Sequence, residues 1–405
     1  MEFNNIKSIF PIFKQKIKGK PLIYLDSANS SQKPKMVIDE ISKFYETEFS
    51  NVGRSVHTLA VKATNKFEET RDIVKSYINA KYREEIIFTK GATEAINLVA
   101  NTYGEKFIKD GDEILVTELE HHSNYLPWMN LCKKLGLELK IIPISKDGIL
   151  SEDDIINNCD DSTKVLSLTH MSNVTGQILD IKKIKKSINK DTYVAVDGCQ
   201  SIAHLKIDVK DLDCDFYSFS SHKLYGPSGI GIMYGKEDIL NKLNPPTLGG
   251  GMINEVSSND FSYAMLPNKF EPGTPSIEAA IGFKTAMEYL NNNNYQDYFL
   301  NEKKLRSTLI KALREFKEVD IYGSNEDGNA TSIVSFNIKN QNFNDIATFL
   351  DQYGIMIRGG HHCCQPFMKK LGIPGSCRVS FGIYNDLNDI DHFIDSLKKT
   401  LKLLQ

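Results

Sequence analysis

The sequence contains no apolar run approaching the ~20 residues that a membrane-spanning helix requires. Its first twenty residues, Met1 to Lys20, hold lysine but no arginine and no continuous apolar stretch. They read as part of the mature protein rather than as a secretion or transit signal. Cysteine occurs seven times, at Cys132, Cys159, Cys199, Cys214, Cys363, Cys364 and Cys377. The number is odd and no pair has CxxC spacing, which argues against a disulfide framework and a zinc ribbon. Free thiols in a reducing cytoplasm are expected. Neither sign of charge dominates: 49 Lys and Arg stand against 52 Asp and Glu, a net charge of −3. Nothing there favours a nucleic acid or a membrane surface as a partner. Internal repeats and low-complexity tracts are also missing.

What is present suits a globular protein of 405 residues, 41% hydrophobic and 25% charged. A domain takes about 100–200 residues, so two are expected. From Leu22 to Gly235 short apolar runs alternate with longer amphipathic ones. Glu85–Thr89, Glu113–Thr117, Lys164–Thr169, Thr192–Val196 and Phe216–Ser220 read as strands separated by helices, the pattern of βαβ units and a mainly parallel sheet. A loop region runs from Gly249-Gly250-Gly251 to Pro275, and a helix from Ile277 to Leu290. The run Asn291 to Asn294 reads as a breaker and marks a domain junction. A long helix and the strands Ser332–Ile338 and Cys377–Phe381 follow. The expected division is an N-terminal segment 1–20, a large domain 21–292 and a smaller α/β domain 293–405.

Several of the strands end in small or polar residues, and in open α/β sheets ligands gather at the carboxyl ends of strands. Asp197 and Lys223 stand just past two such ends. A carboxylate that keeps a pyridinium nitrogen protonated, beside a lysine that forms a Schiff base and then acts as a base, is what pyridoxal phosphate requires. Singly, each is more often a surface lysine or a helix cap. Gly91-Ala92-Thr93-Glu94 lies between a strand and the apolar helix Ala95 to Ala100. Backbone amides there and the Thr93 hydroxyl make an anion cradle, to which Ser220 and His222 could add contacts. Alone, Thr93 is more often a plain helix cap. His121, just past another strand end, could stack on a pyridine ring; an isolated histidine there is more often structural.

Together these motifs carry a resemblance. Tyr24-Leu25-Asp26-Ser27-Ala28, Gly91-Ala92-Thr93-Glu94-Ala95-Ile96-Asn97, Glu120-His121-His122-Ser123-Asn124, Asp197-Gly198-Cys199-Gln200, Ser218 to Pro227, Phe270 to Pro275 and Arg378-Val379-Ser380 resemble the class V aminotransferase family. The match is closer to its cysteine desulfurase branch, of SufS type. The resemblance implies the type I fold of pyridoxal-phosphate-dependent transferases, an α/β fold with a seven-stranded, mainly parallel sheet between helices. It implies that Lys223 holds the cofactor, Asp197 faces the ring nitrogen, Gln200 approaches the ring hydroxyl and His121, counted among the catalytic residues, stacks on the ring. Thr93, Ser220 and His222 are implied to bind the phosphate, with Ala92 in the cradle. Thr274 is implied to reach the phosphate site of a neighbouring subunit, which makes a homodimer part of the site. Asn173 and His57 are implied to lie near the substrate.

The reaction depends on Arg358-Gly359-Gly360-His361-His362-Cys363-Cys364-Gln365-Pro366. Four consecutive side chains cannot all face one tetrahedral zinc ion. A buried structural thiol is the plain alternative, although two histidines, an arginine and flexible glycines are surroundings that favour a reactive one. The string is similar to the short-loop desulfurase pattern, which assigns the nucleophile to Cys363. Cys364 stands where many such proteins have alanine, and Gly53 where many have histidine. Cys199 and Cys377 are expected to be packing residues. Arg378 is the candidate for gripping a substrate carboxylate through two parallel hydrogen bonds, with Arg358 a second cation near the thiol.

The resulting expectation is a pyridoxal-phosphate-dependent cysteine desulfurase. It would convert L-cysteine to L-alanine, hold the sulfur as a persulfide on Cys363, and pass it to a SufE- or SufU-like acceptor for iron–sulfur cluster assembly. L-selenocysteine is the alternative substrate. A class V transaminase or kynureninase-like enzyme has no evident use for the Cys363 string. A metal or redox module on the same scaffold is the non-enzymatic alternative; no metal site is expected.

Overall fold

In the computed structural model, which describes residues 3–293, 295–323 and 329–404, the apolar runs of the first two-thirds form one seven-stranded sheet. Its order is Ile86–Thr89, Gly231–Gly235, Phe216–Ser220, Tyr193–Asp197, Thr163–Thr169, Glu113–Thr117 and Leu139–Ile142. Gly231–Gly235 is antiparallel to both of its neighbours, and the other pairings are parallel. Both faces are covered. Phe88, Val194, Val196 and Phe219 belong to the core on one side, and Ile87, Ala195, Phe216 and Met233 to the core on the other. Alternate residues therefore point to opposite cores, as a sheet between helix layers demands.

The second sheet has four strands in the order Val319–Tyr322, Ile333–Ile338, Ser376–Ser380 and Arg358–Gly360, with antiparallel neighbours. Its core includes Leu305 and Leu309 from the helix Tyr295–Leu313, Leu350 from Phe343–Asp351, and Phe393 and Leu397 from Leu387–Leu404. Near the N-terminus, the two-residue strand Ile23–Tyr24 runs parallel to Ile355–Met356, and Asp26 bridges to Ser380. Phe10, fully buried, packs against Tyr225 and Tyr384.

Most expected elements lie within a residue or two of those observed. Two differences have physical causes. The helix expected from Ala95 begins at Ala92, because Gly91 breaks the strand and leaves Ala92 free to start the first turn. The loop region before Pro275 contains an exposed hairpin, Ile253–Val256 with Phe261–Tyr263, whose side chains are too solvated to show an apolar pattern. The helix from Ile277 extends to Asn292. Asn294, the last residue of the expected breaker, and Met1, Glu2 and Gln405 lie outside the described residues. Among the described residues, no helix is long and apolar enough to cross a membrane.

Candidate active site

The strand ends converge on a cavity of about 210 Å³. Tyr193–Asp197 and Phe216–Ser220 run side by side, with Asp197 opposite Ser218. The first strand delivers the buried Asp197, whose Oδ1 accepts the amide of Cys199 at 2.9 Å. The second, buried along its whole length, ends at Ser220 and passes into the short turn Ser221–Lys223. Asp197, Ser220, His222 and Lys223 all line the cavity. Gln200, also on its wall, is buried, and its Nε2 donates to the Ala28 carbonyl at 2.8 Å.

The strand Gly231–Gly235 explains how the helix starting at Ala92 comes so near. A Cβ on Gly231 would lie 2.5 Å from the Gly91 Cα, so only glycine permits that approach. The Ala92 amide consequently donates to Ser220 Oγ at 2.8 Å. Thr93 Oγ1 lies 2.8 Å from Ser123 Oγ, and both Ala92 and Thr93 line the cavity. The first turn of a helix presents amide donors and positive dipole to an anion.

His121 caps the helix His122–Leu135, its Nδ1 accepting the Ser123 amide at 3.1 Å. That bond puts the proton of the neutral ring on Nε2. Burial first, then the positive charge of Lys223, pushes its pKa down to about 3. The His222 imidazole is lowered to about 4 by the same two causes, with Lys33 adding to them. At pH 7 both rings are neutral.

The other wall comes from the second sheet. Its register sets Arg358 directly opposite Arg378 on neighbouring strands, so both guanidinium groups stand on one face. Arg378 is 1% exposed; its Nη1 donates to the Asn173 carbonyl at 2.9 Å and its Nη2 to Asp26 Oδ1 at 3.1 Å. Its Nε is buried without a hydrogen-bond partner, and burial lowers its pKa. Arg358 Nη1 donates to Asn29 Oδ1 at 3.1 Å, and Nη2 lies 3.8 Å from Cys363 Sγ. Cys363 and His362 have φ of +56° and +51°, so the chain turns through two left-handed residues at the thiol. Asn173 Nδ2 ties this loop down by donating to the His362 carbonyl at 2.8 Å.

The two adjacent cysteines face different ways. Cys363 lines the cavity, whereas Cys364 is fully buried and its thiol donates to the Glu120 carbonyl at 3.2 Å. Burial raises the Cys364 thiol far above its ordinary range. Among the described residues, no three His, Cys, Asp or Glu side chains are placed to share a metal ion.

Twelve of the fourteen residues singled out in the sequence therefore line one cavity: Ala92, Thr93, His121, Asn173, Asp197, Gln200, then Ser220, His222, Lys223, Arg358, Cys363 and Arg378. Two do not. His57 is exposed and caps the helix Thr58–Tyr77. Thr274 lies in a separate groove of about 310 Å³, its Oγ1 3.4 Å from Asn51 Nδ2. Gly53, with φ of +107° and open space around its Cα, belongs to the same exposed loop as His57. Cys199, expected to pack next to the site residues, is on the cavity wall, and its amide donates to Asp197. Cys377 is buried. Of the two residues that hold the arginines, Asp26 was legible only as part of a matching stretch, and Asn29, just past the end of that stretch, was missed.

The chain matches the family described as aminotransferase class V over residues 23–393. It belongs to that family. A probable cysteine desulfurase of Staphylococcus epidermidis is 44% identical over 392 residues, which cover 96% of this chain and 95% of that protein. Another probable cysteine desulfurase, from Staphylococcus aureus, is 43% identical over 400 residues, 98% of this chain and 97% of the relative. Among solved structures, the Thermococcus onnurineus cysteine desulfurase in its apo form superposes with a TM-score of 0.93 at 36% identity, covering 98% of each chain. The Escherichia coli cysteine desulfurase CsdA, in an S-sulfonic acid form, gives 0.91 at 32% identity over 100% of this chain and 99% of that one.

The donor set of this class V cavity fits pyridoxal phosphate. An anion-binding helix start, a buried carboxylate, a neutral imidazole and a lysine amine line a space closed off by strand ends. The unpartnered Arg378 Nε adds a donor for a carboxylate.

Proposed function

We propose that this protein is a pyridoxal-phosphate-dependent cysteine desulfurase that takes sulfur from L-cysteine onto Cys363 and releases L-alanine. The observation that carries the reading is that Cys363 lines the same cavity as Lys223, Asp197 and Arg378. The names of its relatives support it. Ala92, Thr93, Ser220 and His222 would hold the phosphate, Gln200 the ring hydroxyl, His121 the ring face, Asp197 the ring nitrogen and Lys223 the aldehyde carbon. Bound there, the cofactor supplies an electron-withdrawing pyridinium that makes the Cα proton of an amino acid removable.

The residues of the chain do the rest. Asp197 keeps the proton on the ring nitrogen. Arg378, fixed by Asp26 and the Asn173 carbonyl, binds the substrate carboxylate and so sets the direction of the Cα–H bond. Lys223 Nζ takes that proton and returns one. Cys363 Sγ, as the thiolate, attacks the substrate sulfur and forms the S–S bond of a persulfide as the S–Cβ bond breaks. The electron pair of that bond stays with Cβ, which takes up a proton and becomes the methyl group of alanine. Arg358 is the cation beside the sulfur during that step. Asn173 and His57 are the remaining substrate-side residues, His57 reaching the substrate only if its exposed loop moves inward or serves a neighbouring subunit.

The homodimer is part of the proposal. Thr274 stands outside the cavity of its own chain, and Val56, Val256 and Met265 are 93%, 74% and 83% exposed. A second subunit would cover these apolar groups and receive Thr274 at its phosphate site. The persulfide is proposed to pass to a SufE- or SufU-like acceptor for iron–sulfur cluster assembly, in a reducing cytoplasm that suits seven free cysteines. We further propose the division 1–20, 21–292 and 293–405 as the domain organisation, with residues 23–26 hydrogen-bonded to the smaller part.

Purified protein loaded with the cofactor should form alanine from L-cysteine. Lys223→Ala should lose turnover and the visible absorbance of the bound cofactor, and Cys363→Ala should keep the absorbance and lose turnover. Normal alanine release by Cys363→Ala would overturn the assignment of the nucleophile.

A further inference from the structure

The turn that carries Lys223 is held by residues almost two hundred positions away. Four donors converge on the His222 carbonyl oxygen, in the peptide bond leading into Lys223: the Ser31 amide at 3.1 Å, Ser31 Oγ at 3.0 Å, Ser30 Oγ at 3.2 Å and Lys33 Nζ at 2.8 Å. A carbonyl oxygen has two lone pairs, so this acceptor is served twice over. Ser31 Oγ also accepts the Tyr225 amide at 2.8 Å. One hydroxyl thus spans Lys223, from the carbonyl before it to the amide two residues after it.

Lys33 is the unusual member. Its ammonium also donates to the Ser31 carbonyl at 2.6 Å, and among the described residues it makes no ion pair. A surface lysine would keep its hydration; this one gives it up for two carbonyl oxygens, and burial lowers its pKa to about 7. The Ser30 hydroxyl has one proton and two acceptors within reach, the His222 carbonyl and His222 Nδ1, each at 3.2 Å. With Lys33 serving the carbonyl, the Ser30 proton can go to Nδ1, which leaves the ring proton of neutral His222 on Nε2. An anion needs that donor.

We propose that Lys33 is a positioning residue for Lys223 and His222: its ammonium fixes the carbonyl between them and frees Ser30 to set the His222 tautomer. The inference rests on the reading of Lys223 and His222 as cofactor residues.

The test is titration of the cofactor-free full-length protein with pyridoxal phosphate, followed by visible absorbance, for the parent and three variants. Lys33→Met should weaken binding about tenfold, as loss of a charged hydrogen-bond donor does, and alter the visible spectrum, with circular dichroism unchanged. Lys33→Arg should restore most of the affinity. Ser30→Ala should weaken pyridoxal phosphate but leave unphosphorylated pyridoxal unchanged, and it keeps the proposal testable if Lys33→Met fails to fold. Parental affinity and spectrum in Lys33→Met, or equal losses for both ligands in Ser30→Ala, would overturn it. A parent protein that takes up no cofactor overturns the proposed function, and this inference with it, before any variant is compared.

Discussion

The backbone amide of His122 donates to the carbonyl of Cys363 at 2.7 Å. This bond joins the loop that carries the thiol to the loop that carries His121, although the two are more than two hundred residues apart in sequence. The proposed nucleophile and the proposed ring-stacking residue are therefore tied to each other directly. The buried Cys364 thiol, bonded to the Glu120 carbonyl, reinforces the same junction.

Asn173 is the third tie on the thiol loop, and its removal should separate positioning from cofactor binding. Asn173→Ala loses the hydrogen bond to the His362 carbonyl, while its own carbonyl still receives Arg378. Turnover of L-cysteine should fall about tenfold, the effect of about 1.4 kcal/mol on a barrier. The cofactor absorbance should be retained. Loss of the absorbance instead would mean that Asn173 serves the cofactor.

Arg378→Lys keeps the charge but loses the planar fork. The KM for L-cysteine should rise about tenfold or more, with cofactor affinity little changed. Steady-state kinetics beside an absorbance titration checks this. An unchanged KM would transfer the carboxylate to Arg358.

Far from the thiol, Arg71 and Glu271 form a buried two-pronged pair, with Nη1–Oε1 at 2.7 Å and Nη2–Oε2 at 2.9 Å. Glu271 Oε1 also accepts the Phe88 amide, which holds the Pro272–Thr274 turn against the sheet. Glu271→Ala removes two charged hydrogen bonds from the buried guanidinium, which keeps Glu68 as its other carboxylate at 3.0 Å, and should cost about 2–3 kcal/mol in urea unfolding.

Stability of the cofactor-free protein should depend on pH in a direction set by buried imidazoles. Burial lowers the folded-state pKa of His121 to about 3, of His170 and His222 to about 4, and of His362 to about 2, against an ordinary 6.5. Below 6.5 the unfolded chain binds protons that the folded one refuses, so stability falls as pH drops from 6.5 through about 4. Glu120 runs the other way. Burial raises it from 4.5 to about 8, so its contribution is lost as pH rises across that window. Burial also raises Glu302 and Asp389, and four imidazoles outweigh three carboxyls on the acid side. Thermal midpoints should therefore fall from pH 6.5 to 4.5; a flat profile would show that these rings are protonated in the fold.

The core of this arrangement was legible in sequence because strands buried on both faces leave continuous apolar runs, and their polar ends mark the ligand side. Leu139–Ile142 was not, since it is a half-exposed edge strand with little contrast to its surroundings. Asp26 and Lys33 carried no signal of their own. They meet Arg378 and the Lys223 turn only through folding, across 352 and 189 residues. Thr274 and His57 show the opposite case, in which matching motifs name residues that this chain alone does not bring to the cavity.

The most direct test of the account is mass spectrometry of the cofactor-loaded protein after brief exposure to L-cysteine, with peptide mapping of the added sulfur. One extra sulfur on Cys363, with Cys364 unmodified and alanine formed in equal amount, is the predicted result. Alanine formed with the sulfur on Cys364, or on no cysteine of the chain, would contradict it.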